Sequence, residues 1–248
     1  MSFTADELRE LPVVISEPRF GTYLAAAGED VAGGLALYHW NLAVSAAFIV
    51  PLQLCEVAIR NAVVEVLERV HGADWPWSNG FARSLPRSAT GYNPENNLRA
   101  VARRHRSAGQ VVAALHFAFW GALFTAGQDG RLWEPWFRAA FPGSPALLPI
   151  AVARAAFYAD LSAIRTLRNR IAHHEPIFTR DILAEYNCIQ RLVRARNPVA
   201  SVWLHACQGV TRLAPMRPRL PSAAPGWPSQ AGHCPIAAPA GRRESLAP

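Results

Sequence analysis

Residues 165–176 read Arg-Thr-Leu-Arg-Asn-Arg-Ile-Ala-His-His-Glu-Pro, so Arg165, Arg168, Asn169, Arg170, His173, His174 and Glu175 fall within twelve positions. Histidine can give or take a proton near neutral pH. Two imidazoles beside three fixed cations can therefore form an acid/base site. The plainer reading is a helix end capped by cations and polar side chains. Proline keeps the residue before it out of the α region, so Pro176 predicts a helix end at about His174 or Glu175. Both histidines then lie in the last turn, at the negative end of the macrodipole, which favours imidazolium. On an ideal helix Asn169 and His173 are roughly 40° apart and share a face, whereas Arg168 and His173 are roughly 140° apart. That offset suits one chain poorly. A two-fold dimer suits it better, because each chain can supply part of each cleft.

The elements that must position this stretch read as helices. Thr4 and Glu7 form a capping-box pattern for a first helix ended by Pro12. Ser16-Glu17-Pro18 opens a second, running to about Ala27. From Val31 to His71 apolar residues recur at helical spacing with Pro51 as the sole turn signal, which predicts one long helix kinked at Pro51 or two abutting ones. Glu56 and Arg60 lie four apart on it, beside Asn61. They form either a surface ion pair or a polar cluster turned inward. Residues 72–91 read as a long irregular connection. The helix after Asn93-Pro94-Glu95 carries Arg99, Arg103, Arg104 and Arg106, either a solvated face or a phosphate contact. Val111 to Phe124 reads as one apolar core helix, interrupted by His116 and Gly121 and too short to span a bilayer. Leu132 to Phe141 is a short aromatic helix. A long helix runs from about Ile150 to His174, with Val152, Ala156, Phe157, Leu161, Ile164, Leu167 and Ile171 as its apolar stripe. Thr179 is read as the cap of a helix over residues 180–196, and a last helix follows Asn197-Pro198 to about Leu213. No strand pattern stands out, so the expected class is all-α.

Composition narrows the chemistry. The chain has 248 residues, net charge +7 and no lysine; all its fixed cations are arginine. Absence of lysine fits codon bias in a GC-rich genome, but the charge still favours phosphate-bearing partners. Cys55, Cys188, Cys207 and Cys234 show no zinc-like spacing and read as reduced thiols. The acidic start, Met1-Ser-Phe-Thr-Ala-Asp-Glu, does not read as a signal peptide. A cytoplasmic chain without membrane association is expected. Residues 214–248 hold eight of the 20 prolines and are expected to be disordered. The domain reading is therefore an N-terminal extension over 1–15, a helical domain over 16–213 and a tail over 214–248. There is no HExxH, no glycine loop followed by Lys and no GxSxG. Metalloprotease, P-loop and serine hydrolase chemistry thus lack support, and neither a metal nor another cofactor is called for.

The residues from Leu167 to Phe178 resemble the C-terminal signature of Abi-like proteins, within the HEPN superfamily. That signature pairs an arginine with a histidine across four to six intervening residues. Arg168 and His173 have four residues between them, and Arg168 and His174 have five. Tyr38-His39-Trp40-Asn41 and Glu56-Val57-Ala58-Ile59-Arg60-Asn61 resemble the family's motifs on its long early helix. Gly109 through Trp120 and Leu132 through Pro142 fit in order, so the likeness covers about residues 16–196. It implies a helical bundle that dimerises. It also implies either a composite cleft that cleaves RNA without metal, in abortive infection or toxin–antitoxin systems, or a module that has lost catalysis.

The chemistry agrees with the first implication. Metal-free cleavage needs a base for the 2′-OH, an acid for the leaving 5′-oxygen and cations for the phosphorane charge. His173 is the expected acid/base, Arg168 the phosphate and transition-state stabiliser, and Asn169 the orienting group. Two nearby imidazoles can split into one base and one acid. His174, Glu175, Glu56, Arg60 and Asn61 are supporting candidates. Arg103, Arg104, Arg165 and Arg170 are RNA-contact candidates. The expected reading is a metal-independent endoribonuclease of toxin or phage-defence type, with RNA, a second copy and an antitoxin as partners. The alternative is a non-catalytic RNA- or protein-binding module.

Overall fold

The computed structural model describes residues 2–87 and 91–219. Among these the chain is all-α, with twelve α-helices and no strand. The helices are α1 (Ala5–Ile15), α2 (Glu17–Ala26), α3 (Val31–His71), α4 (Asn79–Ser84), α5 (Pro94–Ala102), α6 (Ala108–Ala114), α7 (Phe117–Ala122), α8 (Glu134–Ala140), α9 (Ile150–Ala172), α10 (Ile182–Arg196), α11 (Pro198–Cys207) and α12 (Val210–Leu213).

The spine is α3. Asp30 caps its start by accepting from the backbone N–H groups of Ala32 and Gly33, and Gly72, at φ +80°, turns the chain at its end. It runs unbroken through Pro51, which is itself buried. The bundle packs α2 and α10 against α3, with α9 and α11 flanking α10. Gly34 is a packing glycine. A Cβ there would press on the Phe20 ring at 3.1 Å and on Leu24 Cα at 3.3 Å, so the missing atom eases the close approach of α2 to α3. By length and composition α3 is apolar enough to cross a membrane, and a third of its most apolar window is buried within the fold. Leu42, Ile49, Val50 and Val57 remain exposed on it.

α9 is set by an aromatic cluster. Phe124, Trp133, Phe137 and Phe141 all pack on Phe157 or on one another, and the Phe124–Trp133 rings stack at 4.4 Å. Phe157, Leu161, Ile164 and Leu167 are all buried, so one face of α9 faces the core. That fixes Arg165, Arg168 and Asn169 on the exposed side. Asp160 locks the register by accepting from Arg191 of α10 at 2.7 and 3.1 Å.

Several boundaries differ from the sequence reading. α1 continues past Pro12 to Ile15, because a proline near a helix end removes only one backbone bond. Ser16 stands at the α2 start but at φ +80°, and its side chain caps nothing. The expected irregular connection contains a 3-10 turn (Trp75–Trp77) and α4. The expected helix from Val111 to Phe124 is two helices, α6 and α7. Leu115 and His116 are extended between them, and this break lets Phe117, Phe119 and Trp120 turn into the core. α10 is capped by Asp181, which accepts from Ala184 N–H at 2.9 Å, rather than by Thr179. The last helix is α11 and α12, separated at Gln208–Gly209. The tail does not begin at Ala214, since Ala214–Met216 form a 3-10 turn. Trp40 donates its indole N–H to the Leu213 carbonyl at 2.8 Å. The Arg217 guanidinium lies over the rings of Trp40 and Phe178, at 5.9 and 6.0 Å. The rest of the tail, residues 220–248, lies outside the described residues.

Candidate RNA-contact site

The motif stretch ends in a full Schellman turn. α9 stops at Ala172, two or three residues short of the proline-based expectation, and His173 is its C-cap. His174 takes the left-handed conformation at φ +56°. Its N–H donates to the Ile171 carbonyl at 3.1 Å, and the Glu175 N–H donates to the Arg170 carbonyl at 2.8 Å. Glycine is the usual occupant of that left-handed position, and histidine is among the side chains that also tolerate it. The pre-proline rule marks only an outer limit. Here the carbonyl-satisfying turn closes the helix first.

The loop beyond is held at both ends. Arg170 donates from Nε and Nη2 to the Pro176 carbonyl at 3.0 and 2.7 Å, and its Nη1 lies 3.4 Å from the Glu175 carboxylate. Ile177, fully buried, donates its N–H to the Asn41 side-chain oxygen at 2.8 Å. Tyr23 is fully buried against Phe178 and Tyr38, and burial pushes its hydroxyl pKa well up. Arg170 and Glu175 thus build the turn, and Asn41 ties it to α3.

On the exposed side of α9 lies a cleft of about 770 Å³. Arg165, Thr166, Arg168, Asn169, Arg170 and Glu175 line one wall, and Tyr92, His116, Phe117 and Ala118 the other. Arg168 Nη1 is 3.5 Å from the Asn169 side-chain oxygen, the outer limit of a hydrogen bond. Asn97 orders the opposite wall: its side-chain oxygen accepts from the Tyr92 hydroxyl at 2.8 Å and from the His116 backbone N–H at 3.4 Å. Burial raises the Tyr92 hydroxyl pKa, against the pull of the Arg165 cation.

The structure therefore brings together Arg165, Arg168, Asn169, Arg170 and Glu175, while His173 and His174 are exposed at the helix end and do not line the cleft. Glu56, Arg60 and Asn61 sit on α3, away from it. No ion pair joins Glu56 to Arg60 among the described residues, and Arg60 Nε is buried without a partner. Arg103 and Arg104 follow α5 and are also outside the cleft; Arg103 borders a hollow of about 130 Å³ beside Trp77. Two wall residues, His116 and Tyr92, escaped the sequence reading. The signal for His116 was present as a polar interruption of an apolar run.

Cys55 is buried and free, Cys207 is exposed and free, and Cys188 is buried with its sulfur accepting from Arg191 Nη2 at 3.1 Å. Burial, then the Asp160 and Glu56 carboxylates, drives the Cys55 thiol far up, so it stays protonated. Among the described residues no group of three or more His, Cys, Asp and Glu side chains is placed to hold a metal ion. No protein-family model, curated protein or solved structure matches the chain.

Proposed function

We propose that the chain is a metal-independent endoribonuclease of the HEPN type, acting on RNA through its own 2′-OH. The observation that supports it is the cleft that joins Arg165, Arg168 and Asn169 to the imidazole of His116, with His173 one turn beyond Asn169. Arg168 holds the scissile phosphate and stabilises its added charge as the 2′-oxygen attacks. His173 exchanges the protons. Because His173 stands outside the cleft of its own chain, a second copy of the motif completes the site across a two-fold axis. The toxin or phage-defence setting, with an antitoxin as regulator, rests on the resemblance of residues 167–178 to Abi-like proteins.

The exposed position of His173 also favours a second reading. In it the cleft binds RNA or a protein and cuts nothing. One experiment separates the two. Purified wild type, Arg168→Ala and His173→Ala are incubated with RNA in the presence of EDTA, and the ends are analysed for 2′,3′-cyclic phosphate. In parallel, growth is followed during expression at matched protein levels. Cleavage by wild type alone, with growth arrest relieved by His173→Ala, supports the nuclease. Intact RNA with binding that Arg168→Ala abolishes supports the binding module.

A further inference from the structure

The motif cleft does not end at Arg165. A second hollow, of about 280 Å³, opens between α5, α7 and α9. Tyr92, Phe117, Ala118 and Arg165 border both spaces, so the two adjoin with Arg165 between them. We propose that the second hollow is a nucleobase subsite, seating one base of a single-stranded RNA whose phosphates lie against Arg165 and Arg168. This rests on the RNA reading of the motif cleft.

The walls are suited to a flat heterocycle. Tyr92, Phe117 and Tyr158 line the hollow, and Tyr158 keeps 45% of its surface exposed. Aromatic side chains stack on any base, whatever its sequence. The Tyr92 ring is fixed in advance, because its hydroxyl is committed to Asn97. Two hydroxyl side chains, Thr125 and Ser162, supply polar edges. Thr125 donates to the Ala122 carbonyl at 3.1 Å and so keeps its lone pairs for a base N–H. The floor is bare. Gly121 is not required by its neighbours, since a Cβ there would meet only Leu161 Cβ at 3.9 Å, an ordinary contact. What its missing side chain preserves is space. Along α9, Ser162 of the second hollow and Asn169 of the first are seven residues apart, about 10 Å of helix. That is the reach from a nucleotide's base to a neighbouring phosphate. The arginines face the strand's backbone and the rings its bases, which is how single-strand sites divide the work.

The test uses the full chain and fluorescein-labelled 2′-fluoro RNA hexamers, which lack the nucleophilic hydroxyl and survive the measurement. One hexamer is intact, and six others are each abasic at one position. Fluorescence anisotropy is expected to show about tenfold weaker binding for one abasic position than for the intact strand. Gly121→Leu, which fills the floor, and Tyr158→Ala, which removes a platform, are expected to erase that difference while binding the abasic strand as wild type does. Arg168→Ala is expected to weaken all seven probes together. If folded Gly121→Leu and Tyr158→Ala keep the wild-type preference for the intact strand, the subsite is refuted while the RNA reading stands. Competition by a polyglutamate peptide as effective as by RNA also refutes it, because the groove then reads charge alone. Absence of binding of any hexamer to wild type overturns the RNA reading itself, and the subsite with it.

Discussion

The Asn41 side-chain oxygen accepts the backbone N–H of Ile177 at 2.8 Å, joining α3 to the loop that follows the motif across 136 positions of chain. Both residues are buried, Asn41 to 3% exposure. Asn41→Leu is expected to leave that N–H without an acceptor, costing about 1–3 kcal/mol. Thermal unfolding measures the loss. RNA cleavage is expected to fall further than stability does, because the same bond sets the path of the chain leaving His173 and His174. An unchanged melting temperature would show that the loop is held by other means.

His174 is the reverse case. Its left-handed backbone costs a side-chain-bearing residue about 1 kcal/mol relative to glycine. His174→Gly is expected to raise the melting temperature by about 2–4 °C. Cleavage is expected to stay within about threefold of wild type, since the backbone of His174 closes the turn and the proposed nuclease assigns the proton transfer to His173. A loss as deep as that of His173→Ala would assign the imidazole of His174 to the chemistry.

Arg168 is expected to need its planar fork as well as its charge. Arg168→Lys should lower cleavage at least tenfold, because an ammonium cannot hold two phosphate oxygens at once. An oligonucleotide with a single 2′-deoxy position at the cut should resist cleavage entirely while binding normally. Cutting of that strand would rule out the 2′-OH as nucleophile.

His71 gives the fold an acid-sensitive point. Burial, then the nearby Arg131 cation, pulls its pKa below the usual 6.5. Its Nε2 is buried without a partner, and its ring lies 4.8 Å from that of Phe81. Above the unfolded value both states are neutral and the contribution is present in full. It is lost as pH falls through the lowered folded value, where the folded chain resists a proton that the unfolded chain accepts. Glu185 acts in the opposite sense. Burial raises its pKa, so its contribution is present below the unfolded carboxylate value and is lost as pH rises through the folded one. The difference between wild type and His71→Phe in denaturant melts across pH 5–7 isolates the histidine. The variant is expected to lose less stability on acidification; parallel curves would clear His71 of the effect.

Gly143 tests the packing against the end of α10. Its N–H donates to the Ala195 carbonyl at 2.8 Å. A Cβ at this position would overlap the Arg194 carbonyl oxygen and approach Ala195 Cα at 3.3 Å, backbone atoms that cannot swing aside. Gly143→Ala is expected to destabilise by about 2 kcal/mol, whereas Gly121→Ala, with open space around it, should be close to neutral.

The helical class and the long elements were legible in the sequence because their signals are local and repeated. The apolar spacing of Phe157, Leu161, Ile164 and Leu167 states both that α9 is a helix and which face it buries, although Val152, read into the same stripe, is exposed. The breaks were less legible. Nothing in Leu115-His116 is a strong helix breaker, and the chain opens there because three aromatic rings gain burial on its far side. The helix begins at Ile182, so Asp181 rather than Thr179 is placed to accept from Ala184 N–H, and Arg180 and Glu185 pair across that first turn. Within the site, the arginines were legible as a cluster on one short stretch. His116 and Tyr92 reach the same cleft from other segments, and only tertiary packing brings them there. Asn41 was visible as a polar residue inside an apolar helix, but its partner, a backbone amide 136 positions away, was not.

The Arg217 guanidinium rests on Trp40 and Phe178, and Phe178 is the residue after the Ile177 that Asn41 holds. Arg217 and the loop that follows the motif therefore share one anchorage on Trp40 and Phe178. A chain cut after Arg219 keeps its roof over Phe178. One cut after Leu213 takes the cation off both rings and leaves Phe178 packed on Tyr23 alone among its described ring partners.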